Sequence, residues 1–564
     1  MFIFIKNPGF LGIARLIFGG LLFLFGAAEL CSSQSMPTPT PLDTAPVAPT
    51  FNTPPRPMPS TDRIGVYTVD QLTLTLQQAI EMALKNNNDI DASRDDARIS
   101  DLNLRGARGI YDPLLTSSNY YEKVVTPTAS AIGGAVNGAV TQTRFNGTAG
   151  VNGLTPVGGG SYSALFNPAR TTTSNTNSFL NPQFPSSLIF SYSQPLWRNR
   201  SVDSSRHTIE IAKKNIDISD AQLRLKAITV VTSVEDAYWD LAFAMRNLQV
   251  QIDTLKQAKE QLESNKRLVA KGVLAPIEIV AANAQISTLE QLVYAAQESV
   301  TRAENTLKTL VLPDRAAVEW ARPLTPVTPV GLDVPHVPLD AAVADALKNR
   351  PEIAQLETNA EINRIDQRYY RNQTKPQIDL VGTYTAQGLS GTQTPAAISP
   401  VTGLSRVPPN LVGGFPTSLR NLFAQNYPSY HVGVNISLPW GNRVAKANLG
   451  IALVQADKIA NNRAQEEQII EAEVRNALQA LRSAEARLTS ATEARAAAEE
   501  LYNSEERQFR AGTTTFYLVL QRQNDLTAAR GREIQARTDL NKAIAEFQRS
   551  TGSTLTVNNI TVSK

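Results

Sequence analysis

The chain has 564 residues, with 54 lysines and arginines against 51 aspartates and glutamates, so its net charge of +3 gives no reason to expect nucleic acid as a partner. Its hydrophobic content of 42% suffices for a core. The chain has one cysteine, Cys31, which excludes a disulfide framework. Its three histidines, His207, His336 and His431, are far apart and lack the spacing of a zinc site. Because no Ser/His/Asp or Cys/His order has a suitable local context, an enzyme is the weakest hypothesis, and we expect no cofactor and no metal.

The first 28 residues are typical of a signal peptide. Lys6 and Arg15 supply positive charge, and residues 16–28 supply an apolar run. That run would extend roughly 20 Å as a helix, which is too short to cross a bilayer. Small residues before Ala28 predict cleavage after it, and an uncleaved anchor is the alternative. No later segment has eighteen consecutive apolar residues, so we expect an exported mature chain without a transmembrane helix.

Residues 29–69 form a predicted tether. Nine prolines lie between residues 37 and 59, and this density favours an extended, polyproline-like conformation over a helix or a paired strand. Cys31 leaves lipid attachment open, although Glu29 and Leu30 stand where a lipid-attachment motif has small residues.

From about residue 70 the sequence repeats itself once. Residues 74–90 match residues 337–353 at a shift of 263 positions, and farther along the shift settles at 240, which pairs Gly272 with Gly512. We therefore predict a duplicated protein. Its predicted parts are a first repeat, 70–312, a linker, 313–336, a second repeat, 337–552, and a C-terminal tail, 553–564.

Each repeat is predicted to begin with a short amphipathic helix, 76–86 or 339–349, and a second helix ending near Tyr111 or Asn372. Segments that alternate between apolar and polar residues follow. The alternating segments are 114–123, 187–197, 376–385 and 429–440. Period two predicts four strands per chain, and their two unlike faces suit a barrel wall between lipid and water, with an ordinary half-buried sheet as the alternative.

Two long segments between these strands, 125–185 and 387–428, are rich in Gly, Ser, Thr and Asn. Because they have few large apolar residues, we predict exposed loops. The first is long enough to contain an additional hairpin, for which residues 141–153 are the candidate. Its glycines do not form a phosphate-binding loop, since the GK[ST] ending is missing.

The remaining sequence predicts very long helices. Apolar residues recur at three- and four-residue steps in both repeats, which is typical of coiled-coil packing, and residues 203–270 as one helix would extend roughly 100 Å. The pattern stops around Gly272 and Gly512, where glycine permits a left-handed helix C-cap, and Pro276 suits the first turn of a helix. These turns are either simple helix stops or parts of an exposed functional ring.

At this point the chain resembles the TolC-like outer membrane factor family, the exit ducts of tripartite efflux pumps and type I secretion systems. The resemblance covers about residues 70–552. It is based on the duplicated L-x-x-A-[IV]-x-x-A-L-K-N opening, the strand entries at Pro113 and Pro376, and the duplicated R-x(4)-G turn. It implies an α+β membrane protein in which long antiparallel coiled-coil hairpins form a periplasmic α-barrel. Four transmembrane strands per chain would complete a twelve-stranded outer membrane barrel in a homotrimer.

The resemblance also implies partners and site residues. The partners would be a periplasmic adaptor, an inner membrane pump and outer membrane lipid. The residues at the adaptor-contacting hairpin ends would be Arg267, Lys271, Gly272, Arg507, Arg510 and Gly512.

Glu278 matches a position that forms an acidic ring at the closed pore in some relatives. Three such carboxylates in a trimer would raise one another's pKa and attract cations. In the second repeat the equivalent residue is Leu518, and Gln521 stands where another acid can occur, so a second carboxylate ring is in doubt. A solvated helix residue is the alternative role for Glu278.

We therefore favour an exit duct that opens on contact with an adaptor. A solute-selective porin would explain the strands but would leave the long coiled coils without a role. A periplasmic adaptor would explain a helical hairpin, but not two of them in duplicated halves.

Overall fold

The computed structural model describes residues 57–562, apart from 61, 68–69, 130, 136, 330 and 332–333. The predicted signal peptide at 1–28, Cys31 and most of the predicted tether lie outside the described residues. Within the described part of the chain, no helix is both long and apolar enough to cross a membrane.

The first repeat opens with two helices that are separated by a capped break. These elements, with the strand before them, are β1 (Leu72–Leu74), α1 (Leu76–Asn86) and α2 (Asn88–Arg108). The Thr75 side chain accepts a hydrogen bond from the Gln78 amide, and the Gln78 side chain accepts one from the Thr75 amide. The Asn87 side chain caps α2 by accepting hydrogen bonds from the Asp89 and Ile90 amides. The predicted helix at 76–86 is therefore present with the predicted bounds.

Five strands and the first long hairpin follow. The strands are β2 (Leu114–Pro127), β3 (Ala139–Leu154), β4 (Ser161–Thr173), β5 (Leu180–Gln183) and β6 (Ser186–Pro195). The helices are α3 (Ser204–Ala270) and α4 (Ile277–Val311). At 1.5 Å per residue, α3 is roughly 100 Å long, as the sequence predicts.

The second repeat has the same order of helices with fewer long strands. Strand β7 (Leu324–Pro326) lies before it, in the predicted linker. The first elements of the repeat itself are α5 (Leu339–Asn349), α6 (Pro351–Gln373), β8 (Gln377–Gly388), β9 (Gly391–Gln393), α7 (Phe415–Phe423) and β10 (Tyr427–Ser437). Its long hairpin is α8 (Arg443–Arg510) and α9 (Phe516–Thr551), followed by α10 (Thr554–Val557). Strands β1 and β7 pair in parallel, which joins the beginning of the first repeat to the linker.

One antiparallel sheet contains the long strands of both repeats in the order β10-β8-β6-β4-β3-β2. The prediction of four strands per chain is therefore wrong, because the described chain has six long ones. The two additional strands, β3 and β4, occupy much of the segment 125–185 that we interpreted as a loop. The segment does contain an additional hairpin, β3–β4, but the candidate residues 141–153 form only its first strand, which pairs with both β2 and β4.

Small residues explain why these strands escaped prediction. The ladder between β3 and β4 is made by backbone groups, which need no large side chains. Their sequence therefore gives a weak apolar signal although the strands pair from Gln142 opposite Thr173 to Asn146 opposite Ala169 and, after a break at Pro168, from Ala149 opposite Phe166 to Leu154 opposite Ser161. The segment 387–428, also predicted as a loop, contains β9 and α7.

The two faces of the sheet differ in polarity. Directly paired residues share a face, so the strand registers assign each side chain to one side. One face carries Tyr121, Phe145, Ala164, Phe190, Tyr384 and Val432. The other carries Glu122, Asn146, Asn167, Ser191, Thr383 and Asn435. We call these the apolar face and the polar face.

The largest helical core lies where α1, α3 and α4 meet β1. Tyr238 and Trp239 are fully buried there, and their rings meet edge to face with centroids 5.3 Å apart. The Tyr238 hydroxyl donates a hydrogen bond to the Leu74 carbonyl at 2.9 Å. This core anchors the opening of the repeat against the middle of the long helices.

Candidate functional site

The end of the first hairpin turns through a glycine in the left-handed region. Gly272 has a φ of 71°, and its amide donates to the Val269 carbonyl at 2.9 Å. The next amide, of Val273, donates to the Leu268 carbonyl at 3.0 Å. These two bonds satisfy the last carbonyls of α3 in a Schellman motif.

The end of the second hairpin repeats this geometry. Gly512 has a φ of 78°, its amide donates to Phe509 at 3.0 Å, and the Thr513 amide donates to Gln508 at 3.0 Å. An added Cβ at Gly272 or Gly512 would meet no atom within 4 Å. Both positions therefore favour glycine because of the backbone conformation and not because of crowding.

Positive charge surrounds both turns, but its pairing differs. Arg507 and Arg510 are exposed and pair with glutamates one or two turns earlier on α8. Arg267 and Lys271 are also exposed, and neither forms an ion pair with another described residue. The first turn therefore presents the stronger unpaired positive charge.

The three candidate pore residues lie just beyond the turns. Glu278 is the second residue of α4 and is half-buried, and its carboxylate lies at a helix N-terminus, where the helix dipole favours negative charge. Leu518 and Gln521 are exposed on the first two turns of α9. The second repeat thus places no carboxylate at the position that corresponds to Glu278.

The two hairpins are packed together near their ends. Phe516 at the start of α9 is buried against residues of α3 and α4, including Leu262 and Ile286. The Gln285 side chain on α4 donates to the Asn524 side chain on α9 at 2.8 Å. Any separation of the hairpin ends has to break this apolar contact and this hydrogen bond.

Sequence reasoning missed a buried ionic cluster near the C-terminal end of α4. Lys308, 0% exposed, lies 2.6 Å from Glu304, 1% exposed, and donates to the Trp320 carbonyl at 2.8 Å. Glu304 also pairs with Arg63, which attaches the N-terminal segment to α4. The i,i+4 spacing of Glu304 and Lys308 was visible in the sequence, but that spacing usually indicates a solvated pair.

Comparisons with known proteins give one family and several related structures. A family model described as outer membrane efflux protein matches residues 186–311 and 342–553, which is more than half of the chain. No curated protein matches the chain.

Solved structures of three outer membrane proteins share the fold at low sequence identity. The open state of the Neisseria gonorrhoeae MtrE outer membrane channel is 18% identical, with 85% of this chain and 89% of that chain covered and a TM-score of 0.57. The Campylobacter jejuni CmeC outer membrane channel is 15% identical, with 85% and 86% covered and a TM-score of 0.59. The outer membrane protein VceC from Vibrio cholerae is 16% identical, with 85% and 96% covered and a TM-score of 0.55.

Proposed function

Because this chain belongs to the outer membrane efflux protein family, we propose that three copies form one continuous exit channel across the outer membrane and the periplasm. The sheets form the membrane barrel, with their apolar face against outer membrane lipid and their polar face toward the lumen. The long helices form the periplasmic tunnel. The observation that carries this proposal is that the chain has two pairs of complementary free edges. One pair belongs to the sheet and the other to the helices.

The first pair of edges belongs to the sheet. Strands β2 and β10 are its two outer strands, and almost every residue of both is exposed. Strand β2 runs away from the helices, since it follows α2, whereas β10 runs toward them, since it precedes α8. Placing β10 of one copy beside β2 of the next therefore continues the antiparallel pattern, and a head-to-tail contact of this kind closes as a ring.

The second pair of edges belongs to the helices that continue those strands. Helix α2 exposes Ile99 and Leu102, and the N-terminal part of α8 exposes Ile451 and Val454. Apolar side chains on helix faces beside two unpaired strand edges are expected to be covered in a soluble or membrane-bound assembly. A neighbouring copy covers both at once.

The hairpin ends serve as the docking and gating region of this channel. Arg267, Lys271, Arg507 and Arg510 present positive charge to a periplasmic adaptor, and an inner membrane pump delivers the transported compound. Opening separates the hairpin ends at the contact of Phe516 with the first hairpin. Glu278 supplies one carboxylate per copy at the constriction, which favours cations.

An aspartate in the proposed contact between copies tests the assembly. Ile451→Asp places a charge on the exposed apolar face of α8, and we expect loss of the trimer in detergent, measured by light scattering with chromatography. Val318→Asp is the matched control, since Val318 is also an exposed apolar residue but lies outside α2 and α8. A stable trimer in the Ile451→Asp variant contradicts the proposed contact.

A further inference from the structure

We infer that the β3–β4 hairpin is part of the barrel wall, so that each copy supplies six strands and the trimer closes as an eighteen-stranded barrel. This inference rests on the proposed function and adds to it the width of the membrane passage. Four features support it: the position of the hairpin turn, the composition of the two hairpin faces, the tilt of the strands and the circumference that six strands supply.

The turn between β3 and β4 lies at the helical end of the sheet. The Thr155 amide donates to the Gly160 carbonyl at 2.8 Å across this turn. The Gln194 side chain, at the end of β6, donates to the Gly158 carbonyl at 2.7 Å. A Cβ on Gly159 would lie 2.5 Å from the Asn199 carbonyl oxygen, just before α3. The hairpin therefore returns to the level at which the other strands join their helices, and it spans the full height of the wall.

The hairpin has the same two faces as the rest of the sheet. On its apolar face lie Phe145, Ala149, Val151, Tyr162, Ala164 and Phe166, and toward the end of the hairpin away from the helices this face continues into Thr143, Arg170 and Thr172. On its polar face lie Asn146, Thr148, Asn152, Ser163, Asn167 and Thr171. An extracellular loop has no reason to keep an apolar face in register with the membrane-facing side chains of its neighbours, whereas a wall strand must keep one.

The stagger of all six strands corresponds to the tilt of a closed barrel. One row of paired residues runs from Tyr430 on β10 to Leu115 on β2. Tyr430 lies seven residues from the helical end of its strand and Leu115 lies one residue from the helical end of its own. Across the five spacings between the six strands, the row of paired residues therefore shifts by six residues along the strand direction. This shift corresponds to a strand tilt of about 40°. Closed barrels have tilts of this size.

The helices below the sheet occupy a width per copy that six strands match. Helices α2, α3, α6 and α8 pack side by side in that order. At 8–10 Å per helix they occupy about 32–40 Å of the ring per copy. Six strands at this tilt cover about 38 Å, whereas four would cover about 25 Å. Six strands per copy therefore continue the tunnel into the membrane without narrowing it.

Since barrel diameter grows roughly in proportion to strand number, this wall is about 1.5 times as wide as a twelve-stranded one. The transported compounds that gain from this width are bulky solutes.

Cysteine labelling in intact outer membranes tests the inference. The wild-type chain has one cysteine, Cys31, and therefore reports the background. A small, charged, membrane-impermeant maleimide is added to Ala164→Cys, on the apolar face of β4, and to Ser163→Cys, on the polar face. Val434→Cys and Asn435→Cys on β10 are the reference pair, since β10 belongs to the wall in either case.

We expect Ser163→Cys and Asn435→Cys to react, and Ala164→Cys and Val434→Cys to stay protected until the membrane is dissolved. Labelling of Ala164→Cys at the rate of Ser163→Cys, with the reference pair still distinct, removes the hairpin from the wall and leaves the channel intact. Loss of contrast in the reference pair overturns the proposed channel itself. The pair Ala149→Cys and Thr148→Cys repeats the test on β3, so that the result does not depend on one variant folding.

Discussion

Replacing Gly272 and Gly512 by valine should impair export while leaving the trimer intact. Both glycines have φ near +75°, a region that costs an L-residue about 1–2 kcal/mol and is least accessible to β-branched side chains. Because no atom lies within 4 Å of an added Cβ, the Cβ itself meets no obstacle, and the cost arises from the backbone conformation. The long coiled-coil contacts tolerate that cost, so we expect the trimer to remain assembled. The substitution instead changes the geometry of the turn.

The assay compares export of a toxic compound with the amount of trimer in the outer membrane. Asparagine at the same positions is the first control, since it tolerates the left-handed region and should retain most export. Gly403→Val is the second control, because Gly403 has a φ of 68° and open space around it but lies in the segment between β9 and α7. Normal export in both tip valine variants would refute the reasoning and leave the turns as simple helix stops.

Three further predictions concern charged groups. Glu278→Gln should lower the cation preference of single channels in planar bilayers without changing trimer content, and unchanged selectivity would remove Glu278 from the constriction. Lys308→Met should lower the free energy of unfolding, measured in thermal unfolding, by less than the roughly 3–5 kcal/mol that a fully unpaired buried charge costs, because Arg63 still pairs with the Glu304 carboxylate. Burial raises the pKa of Glu235 from 4.5 to about 7, so the folded chain holds a proton that the unfolded chain has lost. The stability contributed by that proton should therefore decrease as pH rises from about 4.5 through 7, and Glu235→Gln should flatten the dependence.

The helical part of the fold was predictable because its signals are long and repeated. The period of three and four residues locates α3, and the paired glycines locate both turns to the residue. Local chemistry determines each of these features: helix periodicity, capping and the left-handed backbone require no knowledge of distant contacts. The resemblance to the TolC-like family, drawn from the duplicated motifs, is confirmed by the match to the outer membrane efflux protein family.

The sheet was predictable only where its side chains are large. Strand β10 was predictable because Val432, Val434 and Ile436 give a clear period-two pattern. Strand β3 was not, because small residues such as Ala149 and Gly150 give no such pattern, and backbone pairing does not depend on residue type. The candidate site shows the same limit. The turns were identified from glycine and charge, but the contact of Phe516 with the first hairpin is a tertiary event that the α9 sequence alone does not indicate.

Electron cryo-microscopy of the purified full-length protein in detergent tests the central claim most directly. The account predicts a hollow tube with threefold symmetry, in which eighteen strands continue into twelve helices at the level of the strand–helix junctions. A particle without a ring of three copies would contradict the proposed channel. A threefold tube whose membrane part contains only twelve strands would retain the channel and contradict the six-stranded wall.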